Sequence, residues 1–415
     1  MVFTSDSAGS LVIYPRDEIK AKPAQYAAID EAIRTTQFVR NKCLRHWMDN
    51  KGVDKYDLSK YCRVLAKEFS FANQLNSQAR QASADRAWSA ISRFYENCRK
   101  KVKGAKGFPK FKKNCRSVEY KTSGWKLSEN RKAITFSDKK GIGRLKLKGT
   151  YDLNFYSIDQ IKRVRLVRRA DGYYAQFAVK ADVRVKTKPT GKAIGLDLGI
   201  KYFLADSNGN TEEPPKFYRK SERQLNRANR KKSKKYRRGA KPQSKNYHKA
   251  RKRYARKHLR VSRQRKEYCK QVAYSVIQSN DLVAYEDLNV KGLVRNRHLS
   301  KSISDAGWST FRQWLEYFGH KYGKMTVAVP PHYTSQDCPK CHHRVKKSLS
   351  QRTHVCGNCG YTEDRDIAAS LNILQKGLST AGHAGNYAWG DLPSWAIGAI
   401  LSSNGGSENQ ESPSM

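Results

Sequence analysis

The chain has 415 residues, which is enough for two to four domains. Its 83 Lys and Arg residues face only 36 Asp and Glu residues, for a formal net charge of +47. Self-repulsion of that size is tolerated when a polyanion neutralises it, so nucleic acid is the expected partner. A merely soluble basic protein or a membrane-surface binder is disfavoured. No stretch reaches the roughly 18 apolar residues that span a bilayer, and no secretory signal is visible, so no membrane partner is expected.

The first half of the chain predicts helices set among strands. A short apolar strand is expected at 11–14, and apolar residues at three- and four-residue spacing predict helices from Pro23 to about Lys103. Segments with alternating or β-branched residues follow, at 133–136, 144–147, 164–167 and 173–179. They predict a β-rich barrel or sheet. The first strand can belong to that sheet, which would make the helices an insertion.

The second half follows a linker-like segment at 186–191. Strands are predicted at 193–199, 201–206, 281–285 and 325–329, and helices at 310–318 and 367–378. The Asn208-Gly209 pair favours a hairpin turn. The tail from about Ser379 is rich in Gly, Ser and Asn apart from an apolar patch at 395–401, and it is predicted to be partly disordered.

Residues 216–266 carry 24 Lys and Arg residues and a single acid, Glu222. Such a run is usually a solvated helix face or a disordered tail. Here it lies inside the chain between two candidate active-site strands, and Leu225, Tyr236 and Tyr247 interleave with it. We therefore predict one or two long helices along a phosphate backbone, with a break near 239–242.

Four of the nine cysteines form two tight pairs, and the other five are scattered, which is typical of reduced thiols plus one metal site. The pairs are Cys338 with Cys341 and Cys356 with Cys359, separated by a 14-residue spacer. Four thiolates complete the tetrahedral shell that structural Zn²⁺ prefers. Because the shell leaves no open position, the predicted zinc is structural.

Three acids stand where nuclease chemistry would need them. Asp197 lies within a predicted strand, Glu286 ends another, and Asp366 opens the last helix. A two-metal phosphodiester site needs carboxylates from separate elements that converge on ions roughly 4 Å apart. Two strand acids and one helix-start acid are typical of an RNase H-like site. Each acid also has an ordinary interpretation: a salt-bridge partner, a surface acid at a strand end, and a helix N-cap, respectively.

Two neighbouring acids complicate the assignment. Asp364 lies two residues before Asp366, so spacing alone leaves the third member of the site ambiguous. We prefer Asp366 because it immediately precedes the apolar helix. Asp287 follows Glu286 directly and is expected to cap the next helix or turn instead.

The order of these motifs resembles the TnpB family of transposon-encoded, RNA-guided DNA endonucleases, which are related to type V CRISPR effectors. The matching segments extend over nearly the whole chain: 23–25, 38–41 with Leu44, 107–111, 195–199, 285–288, 302–308, 334–338 and 364–366. The combination is specific, whereas no single segment is.

The resemblance implies a multidomain α+β fold. An RNase H-like (RuvC-like) nuclease domain would carry an inserted C4 zinc ribbon, and a β-barrel wedge domain would carry an inserted helical recognition lobe. The implied ranges are 1–22 and 106–188 for the wedge, 23–105 for the recognition lobe, 189–331 and 362–378 for the nuclease domain with its basic helical insertion at 216–275, 332–361 for the ribbon, and 379–415 for the tail.

The resemblance also implies site residues and partners. Asp197, Glu286 and Asp366 would hold two catalytic Mg²⁺ ions, beside the one structural Zn²⁺. The partners would be a guide RNA from the transposon end and a double-stranded target DNA, read beside a short flanking motif by the N-terminal half. Candidates for reading that motif are Gln81, Lys121, Thr122 and Ser123. The protein would be cytoplasmic in a prokaryote and nucleoid-associated on DNA; monomer or dimer is left open.

Two positions depart from the family pattern. His342 stands where a Gly usually favours a left-handed turn after the first cysteine pair, although His tolerates that conformation better than most residues. Ala368 replaces an Asn of the final helix, so a supporting hydrogen bond can be missing and the cleavage rate reduced.

Two other functions compete with an RNA-guided nuclease. A repressor that binds DNA under RNA guidance without cutting would need a broken acid site, and all three acids are present. A transposase that acts without RNA would purify free of bound RNA. Co-purification of RNA therefore separates the two enzymatic hypotheses.

Overall fold

The computed structural model describes residues 11–13, 16–102, 104–149, 152–240, 242–348 and 350–384. It divides into two compact units, Met1–Val183 and Arg184–Met415. Both contain helices and a sheet, so the protein is a multidomain α+β protein. Within the described ranges, none of the helices combines the length and apolar character needed to cross a membrane. The apolar patch at 395–401 and most of the tail lie outside the described residues.

Within its described residues, the first unit contains one eight-stranded antiparallel sheet and four α-helices. In chain order these are β1 Leu11–Ile13, β2 Arg16–Lys20, α1 Pro23–Asp49, α2 Lys55–Glu68, α3 Ser70–Asn73, α4 Ser77–Arg99, β3 Ser117–Lys121, β4 Trp125–Leu127, β5 Ala133–Phe136, β6 Gly143–Lys148, β7 Ile161–Arg168 and β8 Tyr173–Ala181. The strand order is β3-β7-β8-β2-β6-β5-β4, with β1 also pairing with β8.

The helices of this unit are an insertion in the sheet, as the sequence predicted. Strands β1 and β2 precede α1, and both pair with β8. Strand β2 was missed at the sequence level because its sequence, RDEIK, is mostly charged and lacks an apolar alternation. The helices pack on one another through a core that contains Val39, Leu44, Leu58 and Ile91.

The second unit contains a five-stranded mixed sheet and a small hairpin. Its elements are β9 Ala193–Asp197, β10 Leu204–Asp206, β11 Thr211–Glu212, α5 Phe217–Ser233, α6 Lys245–Ser279, β12 Leu282–Glu286, α7 Val290–Leu293, α8 Ser300–Ala306, α9 Trp308–Tyr322, β13 Met325–Val329, β14 Thr353–Val355, β15 Thr362–Asp364 and α10 Arg365–Ala384. The order is β11-β10-β9-β12-β13, in which β12 runs parallel to both β9 and β13.

The basic segment is folded as two long helices, as predicted, with α5 ending at Ser233 and α6 beginning at Lys245. The start of α5 is fixed by Asp305, whose carboxylate accepts hydrogen bonds from the backbone N–H groups of Tyr218 and Arg219 at 2.9 and 3.3 Å. A carboxylate at this position satisfies otherwise unpaired donors and complements the helix dipole. The start of α5 in this α5–α6 helical hairpin is therefore anchored by Asp305.

Helix α10 lies directly on the sheet because one strand presents a glycine to it. A Cβ atom at Gly195 would come within 2.1 Å of the Ser370 carbonyl oxygen and 2.7 Å of the Leu374 nitrogen. No side chain larger than hydrogen fits there. The helix runs to Ala384, six residues past the predicted end at 378.

Candidate functional site

Asp197 and Glu286 lie side by side at the C-terminal ends of two adjacent strands of the mixed sheet. Strands β9 and β12 are parallel neighbours in which Leu196 pairs with Tyr285, and each strand ends at its next residue, the acid. Glu286 is only 8% exposed, and Asp197 is half-buried. The parallel register therefore brings the two strand carboxylates to the same place.

Asp366 is the second residue of α10, a helix that packs on both β9 and β12. The charges of the two other acids affect Asp197. Loss of hydration raises the pKa of Asp197 well above its ordinary value, and the charges of Glu286 and Asp366 raise it further. Arg365 opposes the rise. These three acids, which two adjacent strand ends and the helix packed on both strands carry, are called the acid cluster below.

The structure separates the roles of Asp364 and Asp366. The Oδ1 atom of Asp364 accepts the backbone N–H of Asp366 at 2.9 Å, which is the geometry of a helix N-cap. Its other oxygen accepts a hydrogen bond from Lys201 at 3.2 Å. Asp366 instead faces Arg365 at 3.2 Å and Arg352 at 3.7 Å. The capping role considered for Asp366 therefore belongs to Asp364.

The expectation that Asp287 caps the following turn is wrong. Asn289 caps α7, since its side chain accepts the Gly292 N–H at 3.1 Å. Asp287 forms an ion pair with Arg312 of α9, and Arg312 also binds Glu316 at 2.7 Å. The amide side chain two residues further on reaches the helix start better, which leaves Asp287 free to bind α9.

One residue that sequence reasoning did not single out holds Glu286 in place. The Thr334 hydroxyl donates a hydrogen bond to Glu286 Oε1 at 2.5 Å, and Thr334 is 3% exposed. Burial raises the pKa of Glu286, while Thr334 and Lys376 oppose the rise. Thr334 belongs to the 334–338 segment of the family resemblance, but its partner is 48 residues away and has no local signal.

Asn372 of α10 holds the backbone around Thr334 by hydrogen bonds. Its side-chain amide donates to the carbonyl oxygens of Thr334 at 2.8 Å and of Asp337 at 2.7 Å. Gln375, one turn later, donates to the Pro339 carbonyl at 2.9 Å. Helix α10 therefore carries Asp366 at its start and, two turns on, fixes the chain that leads into the cysteine pairs. Ala368, by contrast, is buried and offers no hydrogen bond from its side chain.

The four predicted cysteines lie together. The Sγ atoms of Cys338, Cys341, Cys356 and Cys359 are all within 4.8 Å of one another. Two of the sulfur–sulfur distances are 3.6 Å (Cys338 to Cys359) and 3.5 Å (Cys341 to Cys356). A tetrahedral site with metal–sulfur bonds of about 2.3 Å has sulfur–sulfur edges of roughly 3.8 Å. The cluster could therefore hold one zinc ion.

The two cysteine pairs have matching backbone turns. His342, after the first pair, has φ 59°, and Gly360, after the second, has φ 71°. In each turn the N–H of that residue donates to the first cysteine's carbonyl at 2.9 Å. The left-handed turn predicted at His342 is therefore present without a glycine.

The four candidates for reading a flanking motif all lie in the first unit. Gln81 is half-buried on α4, and Lys121 ends β3, where it pairs with Asp85 at 2.9 Å, one helical turn after Gln81. Thr122 and Ser123 are exposed in the short turn that follows. The turn therefore lies against the half of α4 that carries Gln81.

Two family models match segments of this chain, mostly in the second unit. A family model described as "Probable transposase" (OrfB_IS605) matches residues 176–297, and one described as "Cas12f1-like, TNB domain" matches residues 308–373. The second range contains the four cysteines and Asp366.

Similar sequences, each matched over part of its length, carry related names. "Putative RNA-guided DNA endonuclease InsQ" of Escherichia coli (strain K12) is 28% identical over 311 residues, which is 71% of this chain and 72% of that protein. A protein of Streptomyces pristinaespiralis with the same functional name is 30% identical, over 46% of this chain and 47% of that one. "TnpB-like protein L79" of Acanthamoeba polyphaga mimivirus is 28% identical over 29% of this chain and 24% of its own.

Among solved structures, the chain resembles the protein in a Cas12f1–sgRNA–target DNA complex. The TM-score is 0.50 at 14% identity, over 84% of this chain and 82% of that one. At this identity the likeness concerns the fold alone.

Proposed function

Because the chain belongs to the TnpB family, we propose that it is an RNA-guided DNA endonuclease that cleaves phosphodiester bonds at the acid cluster. Its guide RNA would come from the transposon end, and its target would be double-stranded DNA beside a short flanking motif. The protein would act in the cytoplasm of a prokaryote, at the nucleoid when bound to DNA. The activity is that named for its relatives.

The observation that carries this proposal is the parallel register that ends β9 at Asp197 and β12 at Glu286, with Asp366 in the first turn of the helix packed on both strands. Three carboxylates in a partly desolvated place repel one another, which is costly unless cations balance them. Arg352 and Arg365 face Asp366, and a bound cation would add balancing charge beside half-buried Asp197. Carboxylate oxygens are the ligands that Mg²⁺ prefers, so the residues present fit this ion.

Bound Mg²⁺ would supply an activated water and stabilise the leaving oxygen of an in-line displacement. The chain's own contribution is rigidity. Two of the acids end paired strands, and Thr334 fixes the carboxylate of Glu286. The antiparallel β9-β10-β11 arrangement beside parallel β12 and β13 supports a RuvC-like nuclease domain. We place one structural Zn²⁺ at the four cysteines, in a ribbon that splits this domain.

In RNA-guided recognition, base pairing with the guide reads the sequence, and the protein reads duplex shape and a short motif. The net charge of +47 suits a chain that must hold a guide, a heteroduplex and a displaced strand. We assign the first unit to a wedge barrel with a helical recognition lobe. Gln81, Lys121, Thr122 and Ser123 remain the candidates for reading the flanking motif.

The test uses the full chain produced in a host that carries the flanking DNA of its gene. Wild type, Asp197→Ala and Glu286→Ala are compared with Glu213→Ala, a control that removes an exposed acid outside the cluster. RNA that co-purifies is sequenced, and cleavage is measured on plasmids that carry the matching sequence next to randomised flanks.

We expect all four proteins to carry the same RNA, and only wild type and Glu213→Ala to cut. Cleavage that survives either cluster substitution contradicts the proposed site. A wild-type protein that carries no RNA and still cuts transposon ends supports an RNA-independent transposase instead. RNA-guided binding by wild type without any cutting supports the repressor.

A further inference from the structure

A groove of about 580 Å³ lies between helices α5 and α6. Six basic side chains line it: Arg227, Lys231 and Lys235 from α5 and its C-terminal end, and Lys249, Arg253 and Lys257 from α6. Ala228 and Ala250 also line it, and their small side chains leave it open. No acidic residue contributes to the lining, so the groove has one sign of charge on both sides.

These six charges are not compensated within the part of the chain that the structure describes. The two acids of the helices, Glu222 and Glu267, pair with Lys301 at 2.6 Å and Lys270 at 3.5 Å, outside the groove. Lys257 reaches only an uncharged partner, the Gln224 amide oxygen at 3.1 Å. Like charges that face each other across a groove repel, so the hairpin by itself is strained electrostatically.

Packing at the base holds the two helices together despite this repulsion. Leu225 and Val261 are buried, and Tyr268 of α6 contacts the rings of Phe203 and Phe217 at centroid distances of 5.0 and 6.0 Å. The Asp305 carboxylate caps α5. The groove is therefore a fixed feature whose two basic rows are set by the core beneath them and not by ion pairs across it.

Aromatic rings lie on the same pair of helices. Tyr236 and Tyr247 have ring centroids 5.7 Å apart near the connection between the helices, and Lys232 lies 4.5 Å above the ring of Tyr254. Basic rows with neighbouring aromatic rings are typical of surfaces that follow a nucleic-acid backbone and stack its bases. The groove thus suits a polynucleotide better than a small anion.

We propose that the α5–α6 groove holds the sugar–phosphate backbone of the guide RNA. This inference rests on the proposed function, which supplies such an RNA. The target DNA is bound only during a reaction, whereas the repulsion within the groove is present throughout the life of the protein. A polyanion that stays bound is the partner that neutralises it continuously.

The test compares two triple variants of the full chain, expressed with the flanking DNA of the gene. The groove variant is Arg227→Gln, Lys231→Gln and Arg253→Gln. The control variant is Lys220→Gln, Arg230→Gln and Arg260→Gln, which removes the same three charges from exposed positions of the same helices that do not line the groove. Co-purified RNA per protein and the salt dependence of binding that RNA are measured, and thermal unfolding checks that both variants are folded.

We expect the groove variant to retain less RNA and to show a slope of log affinity against log salt that is shallower by about 2 to 3, since each phosphate contact contributes about 0.7 to 0.9. The control should stay close to wild type. Equal RNA retention or equal loss in both triples overturns the groove assignment. Retained RNA with weaker binding of a DNA duplex overturns it in favour of DNA. A wild-type protein without RNA would refute the proposed function itself, which is a different failure.

Discussion

Thr334 offers the sharpest test of how the acid cluster is built. Its hydroxyl is the buried donor to Glu286 Oε1 at 2.5 Å, and its backbone is held by Asn372. Thr334→Val keeps the shape of the side chain and deletes that donor, so Glu286 loses its fixed orientation. Burial already raises the pKa of Glu286 and Thr334 opposes the rise, so the substitution should raise that pKa further.

The magnitude follows from the bond that is lost. A hydrogen bond to a charged group contributes about 1.5 to 3 kcal/mol. If that energy supports the carboxylate that binds the cation, the affinity for a divalent ion should fall roughly 10- to 150-fold, at about 1.4 kcal/mol per tenfold change. Mn²⁺ titration by calorimetry on the full chain measures this directly, and half-saturating Mg²⁺ in the cleavage assay should move by a similar factor.

Thr334→Ser is the matched control because it keeps the hydroxyl. It should bind Mn²⁺ nearly as well as wild type, and thermal unfolding should show that both variants are folded. Unchanged Mn²⁺ affinity in Thr334→Val would refute the reasoning. So would an equal loss in Thr334→Ser, because the effect would then come from packing and not from the hydrogen bond.

Three further predictions concern stability and metal binding. His342→Gly should relieve about 1 kcal/mol of left-handed strain and tighten Zn²⁺ binding severalfold in a chelator competition; weaker binding would contradict this. Gly195→Ala should destabilise the second unit by about 1 to 3 kcal/mol or more in urea unfolding, whereas Gly357→Ala, which meets no atom within 4 Å, should not; equal effects would refute the close approach of α10. Burial alone would raise the pKa of Glu119, but Arg86 and Arg165 hold it at about 2 instead of 4.5. Glu119→Gln should therefore cost about 3 kcal/mol above pH 4.5, a difference that shrinks as pH falls toward 2 and that exposed Glu129→Gln should lack; a pH-independent difference would exclude the ionic cause.

The sequence was sufficient wherever the signal is local. The two cysteine pairs and their spacing predicted a cluster whose four sulfurs do meet. Three- and four-residue periodicity predicted the helices of the first unit, since a helix face repeats within a few residues. The basic pair α5 and α6 was predicted from a charge run with interleaved Leu and Tyr residues inside the chain. The strands Ala133–Phe136 and Met325–Val329 were predicted at their observed bounds. The charged strand β2 was missed because its pairing partners, and not its own residues, make it a strand.

Only the tertiary structure showed which of the two neighbouring acids, Asp364 or Asp366, caps helix α10. Asp364 and Asp366 are two residues apart and chemically identical, so spacing alone does not separate a helix cap from a member of the cluster, and the preference for Asp366 rested only on its place before the apolar helix. The first turn of α10 does, because the Asp364 carboxylate accepts the Asp366 N–H whereas the Asp366 carboxylate faces Arg352 and Arg365. Thr334 was hidden for the same reason. Its contact with Glu286 joins residues 48 positions apart, and such a contact exists only after strand pairing and helix packing have fixed both backbones.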